Sequence, residues 1–149
     1  DKPYFAHGID VAYSTVVTAQ IREKLLSEPW PDAQYRLPRA KYVLQIHEIY
    51  GPVAEGCIAL QDKIGLYEKD MLSVYQAKKS EICRVLADMP KAEDIQKMLA
   101  AVNLNMDAFY SLYSTDKLRD AVSYAKELKD RYTVLWLYYD LFGGQAYES

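Results

Sequence analysis

The chain predicts an all-α fold, a helical bundle of about six to eight helices. Three observations lead there. Apolar residues recur at i, i+3, i+4 and i+7 along most of the chain. Chain breakers are scarce, with 6 glycines and 6 prolines in 149 residues, and the prolines cluster at 29–38 or stand singly, so few turns are signalled. No stretch alternates apolar and polar residues for a useful strand length, and no internal repeat is visible. Hydrophobic residues make up 50% of the chain, too many for a disordered chain and enough for one core, so residues 1–149 are read as a single domain.

The first helix is expected from about Gly8 to Ser27. Ile21, Leu25 and Leu26 continue the apolar face begun by Ile9, Ala12 and Val16, and apart from Asp10 the charge collects in the last third, at Arg22, Glu23 and Lys24. The nearly uncharged upstream part is expected to be buried almost all round. Pro29-Trp30-Pro31 ends it, and Pro38 opens a second helix over 38–50, broken by Gly51-Pro52. Residues 53–67 read as a third helix weakened by Gly56 and Gly65, and 68–88 as a fourth, stopped by Pro90. Glu93 and Asp94 open a fifth, where acidic groups meet the positive helix end. Asn103-Leu104-Asn105 is a turn, and 107–113 a short helix. Thr115 is the expected N-cap of one long last helix, with Ala121, Tyr124, Leu128, Tyr132, Leu135 and Trp136 on one face. Gly143-Gly144 ends it, and 143–149 is expected to be a mobile tail.

The net charge of −3, with no basic stripe, argues against nucleic acid as a partner. The 14 tyrosines are read as helix-packing residues that keep a polar tip near the surface. Cys57 and Cys83 lack a CxxC context and read as buried free thiols of a reducing compartment. No apolar run reaches the length of a membrane span, and no signal peptide is visible, so a cytoplasmic protein is expected. No Gly-rich phosphate loop is present, so no dinucleotide-binding half is expected within the chain.

The residue singled out for chemistry is His7. Neutral imidazole is a common zinc ligand, and Gly8 beside it lets the backbone approach a cofactor closely. Asp10 lies one turn on, placed either to orient the His7 ring or to face the helix dipole. Tyr13 and Thr15 are read first as core packing. His47 reads as a partly exposed helix histidine, and Arg131 as half of a buried ion pair.

His7-Gly8-x-x-Val11-Ala12-Tyr13-x-Thr15 resembles the metal-binding segment of the iron-containing alcohol dehydrogenase, glycerol dehydrogenase and glycerol-1-phosphate dehydrogenase family, relatives of dehydroquinate synthase. Two further stretches resemble the glycerol-1-phosphate dehydrogenase branch. They are Leu86 to Pro90 with Ile95 to Leu104, and Tyr124 to Leu135 with its Arg131-Tyr132-Thr133-Val134-Leu135 core. The likeness covers residue 5 to about residue 142. It implies the dehydroquinate synthase-like C-terminal helical domain, with His7 as one metal ligand. In the family an aspartate and another histidine complete the set upstream, and an N-terminal half binds NAD or NADP.

The resemblance therefore implies the helical part of a zinc- or iron-dependent dehydrogenase acting on a polyol or glycerol phosphate. Its expected partners are the missing nucleotide-binding domain and, through the face that domain would cover, further copies in a homo-oligomer. No residue of this chain is expected to be catalytic, and the isolated chain is expected to be inactive, since catalytic zinc needs three protein ligands. The alternative from another class is a free-standing helical interaction module without catalysis.

Overall fold

The computed structural model describes residues 4–143, and they form eight α-helices and two short 3-10 turns with no strand among the described residues. In chain order these are α1 (His7–Ser27), α2 (Arg39–Tyr50), α3 (Ala54–Ile64), α4 (Leu72–Ala87), α5 (Ala92–Ala101), α6 (Met106–Leu112), α7 (Thr115–Tyr124) and α8 (Val134–Phe142), with 3-10 turns at Gly51–Val53 and Ala125–Leu128. The all-α expectation holds.

α1 is the central element and packs on α4, α5 and α8. Its buried side is Tyr13, Val16, Val17, Ile21 and Leu25, which join Tyr75, Phe109, Leu118, Leu137 and Leu141 in the main core. The expected burial all round fails in the first turns, because Val11, Ser14 and Thr15 are exposed. Ser14 Oγ donates to the Asp10 carbonyl at 2.7 Å and Thr15 Oγ1 to the Val11 carbonyl at 2.8 Å, so hydroxyls fold back onto the helix. A smaller cluster of Tyr42, Ile46, Ala54, Cys57 and Ile58 holds the α2–α3 hairpin together.

Most boundaries fall near their sequence positions, and the departures have local causes. Gly65 ends α3 early: its N–H makes the last helical bond, to the Gln61 carbonyl at 2.8 Å, and its left-handed backbone at φ 67° turns the chain out of the helix. The fourth helix starts at Leu72, four residues later than expected, after turns at Tyr67 and Glu68. Ser114, not Thr115, caps α7, its oxygen accepting from the Lys117 N–H. Asn105 does the same for α6.

The largest correction concerns the expected long last helix. It divides into α7, the 3-10 turn and α8, separated by extended backbone at Lys129 and Thr133. Lys126 and Glu127 are both buried. Tyr132 and Leu128 are exposed.

Gly143 closes α8 at φ 80°, and a Cβ there would press on the Tyr35 ring. Gly143 is thus a buried helix end, and the rest of the expected mobile tail lies outside the described residues.

Candidate functional site

His7 stands in the first turn of α1 and is exposed. Residues seven and eleven apart share a helix face, so His7 heads the stripe that continues through Ser14 and Thr18. Beside that stripe, between α1 and the α6–α7 pair, lies an apolar cavity of about 310 Å³. Val17, Phe109, Leu118 and Val122 supply its hydrocarbon wall, and Asp10, Ser14, Thr18 and Lys117 its polar edge.

Asp10 sits in the first turn of α1, facing the positive helix end. One of its oxygens accepts a hydrogen bond from Tyr113 Oη at 2.9 Å, which ties α6 to α1. No hydrogen bond joins it to His7. The Tyr113 hydroxyl is held above its ordinary range by burial and by the Asp10 carboxylate. Tyr13 is a core residue as expected, its ring 5.2 Å from those of both Phe5 and Phe109. Thr15, expected in the core with it, faces solvent.

Among the described residues, no three histidine, cysteine or acidic side chains come together as metal ligands. His7 stands apart from other such side chains, and the described residues do not complete a zinc or iron site around it. His47 is exposed and pairs with Glu55 at 3.0 Å. Cys57 and Cys83 are free thiols, and burial pushes the Cys57 thiol up. Arg131 is exposed, which corrects its expected buried ion pair.

The buried ion pair lies five residues earlier, where pattern reading missed it. Lys126 Nζ is 2.6 Å from Glu127 Oε1, with the two side chains 2% and 0% exposed. The ammonium also donates to the Ser123 carbonyl at 2.7 Å. It lies 4.2 Å from the Tyr139 ring centroid, with the Tyr67, Tyr124 and Trp136 rings around it. Glu127 in turn accepts from the Tyr67 hydroxyl on Oε1 and from Tyr42 Oη on Oε2 at 3.2 Å.

Burial lowers the Lys126 ammonium's affinity for its proton, and the Glu127 charge works the other way. Burial first, and the Glu127 charge second, raise the hydroxyls of Tyr42 and Tyr67 far above their ordinary range. A second cavity, of about 260 Å³, opens onto this cluster. Tyr139, a residue 6% exposed, lines that cavity together with Lys126, and its hydroxyl is buried with no hydrogen-bond partner among the described residues. The available signal was the density of tyrosine and tryptophan around Lys126-Glu127, which reads equally well as ordinary core.

Compared with protein-family models, with curated proteins and with solved structures, the chain finds no match.

Proposed function

We propose that this chain is the helical metal-binding part of an NAD(P)-dependent dehydrogenase acting on a polyol or glycerol phosphate, to which it contributes His7. The observation that supports the reading is the position of His7, exposed at the head of α1 on the stripe that runs past the 310 Å³ cavity. A ligand shared with another domain has to face outward, and a core histidine would not. The resemblance of the His7-Gly8 and Arg131 to Leu135 segments supplies the reaction class. A zinc or iron ion would supply Lewis-acid polarisation of the substrate hydroxyl. The remaining ligands and the nucleotide site lie, on this reading, outside the described residues. Oligomer formation and a cytoplasmic location belong to the same proposal.

The test is to express the gene product with whatever its reading frame encodes ahead of Asp1, load it with zinc or iron, and assay NAD(P)-linked oxidation of polyols and glycerol phosphate. Activity that drops roughly 100-fold or more in His7→Ala is the expected result. A parent without activity, or a His7→Ala chain as active as its parent, overturns it. A start codon just before Asp1 favours the free-standing interaction module instead.

A further inference from the structure

The geometry points to a second, independent site: Lys126 is an imine-forming amine, and the tyrosine-walled cavity beside it admits a small aldehyde or ketone. Three observations on different atoms converge. The first is the nucleophile and its base. Lys126 Nζ is within 2.6 Å of Glu127 Oε1, and that carboxylate is itself held by the Tyr42 and Tyr67 hydroxyls. A nucleophile, a base in hydrogen-bond reach and a third group that orients the base form the usual pattern of an activated side chain. The second is space: the cavity of about 260 Å³ is lined by Lys126 itself, with Tyr35, Tyr42, Tyr67 and Tyr139. The third is the Tyr139 hydroxyl, which is buried without a partner in a residue that lines the same cavity. An unpaired buried hydroxyl loses free energy that a ligand oxygen would restore. Desolvation of Lys126 favours the neutral amine that attack requires.

The step balances within these residues. The Lys126 ammonium passes one proton to Glu127, and the freed lone pair forms a C–N bond to the carbonyl carbon. The Tyr139 hydroxyl gives its proton to the oxygen that becomes the carbinolamine hydroxyl, and recovers one from the nitrogen. Protonated Glu127 then returns its proton to that hydroxyl, the C–O bond breaks, and water leaves. The net change converts an ammonium and a carbonyl into an iminium and water. Lys126 and Glu127 are either both charged or both neutral before attack, in the carbinolamine and in the iminium, so neither is left as an uncompensated buried charge. Nothing in this depends on His7 or on the dehydrogenase reading.

The experiment uses the chain as it is. Propionaldehyde and cyanoborohydride are added near neutral pH, and the reduced adduct is located by peptide mass mapping over time. Surface lysines also react slowly, so the readout is the rate at each site. Lys126 is expected to acquire the propyl group faster than any exposed lysine. Tyr139→Phe keeps the ring over the ammonium and removes only the hydroxyl. It is expected to slow labelling of Lys126 by roughly tenfold or more while leaving the circular dichroism spectrum unchanged. A Lys126 that trails the surface lysines, as an inert core ion pair would, overturns the assignment. So does a folded Tyr139→Phe chain that traps as fast as its parent.

Discussion

At the scale of single residues, the Lys126–Glu127 pair has the greatest consequence for the fold. Both charges are removed from water, and each depends on the other and on surrounding tyrosine hydroxyls and rings. Breaking such a pair leaves one bare charge in the core, which costs about 3–5 kcal/mol, whereas replacing both partners by neutral groups costs much less. Lys126→Met is therefore expected to lower stability by about that amount in urea denaturation. The double variant Lys126→Met with Glu127→Gln is expected to recover most of the loss, and equal losses in the two would show that the pair is not coupled. A milder effect is expected at the Asp10–Tyr113 bond, which is half-buried. Tyr113→Phe should cost about 1 kcal/mol by the same measurement.

At the scale of elements, helix ends are met by distant side chains as well as by local ones. The first N–H of α5, at Ala92, donates to Glu23 Oε1 on α1 at 3.0 Å, and buried Arg22 donates to the Pro90 carbonyl just ahead of it. Two neighbours on α1 therefore position the start of α5. Glu23→Ala is expected to cost about 1 kcal/mol and to speed amide exchange in the first turn of α5 before any other helix. At the far end of the chain, Gly143 takes φ 80°, and a Cβ there would come within 3.0 Å of the Tyr35 ring. Gly143→Ala combines left-handed strain with that contact and is expected to lower stability by about 1–3 kcal/mol, read as a drop in melting temperature.

At the scale of the whole molecule, buried tyrosine hydroxyls stitch the helices together. Tyr42 and Tyr67 converge on Glu127. Tyr75 of α4 donates to the Asp140 carboxylate of α8 and pairs with the Tyr132 hydroxyl. Burial raises the hydroxyls of Tyr42, Tyr67, Tyr75 and Tyr139 well above their ordinary value of 10.0. A raised folded-state value means that the folded chain keeps its protons while the unfolded chain loses them. The stability these groups confer is complete below pH 10 and declines as pH rises through and beyond it. The chain is expected to unfold cooperatively in alkali, with tyrosinate absorbance and helical circular dichroism changing together. Tyrosinate appearing in full before any loss of helix would contradict this.

Helical class and most helix positions were legible from apolar spacing and from the scarcity of glycine and proline. Those signals are local, since each needs only a few neighbouring residues to be read. The same reading ran Tyr124 and Trp136 into one helix because α8 is buried from Trp136 to Leu141 with no polar face to phase it. His7 could be singled out because its chemistry lies in its own residue type and its place at a helix head. Lys126, Glu127 and Tyr139 could not, because what distinguishes them is company from α2, α7, α8 and the loop after α3. Whether a charge is solvated or enclosed depends on residues tens of positions away, so that was decided only when the helices packed.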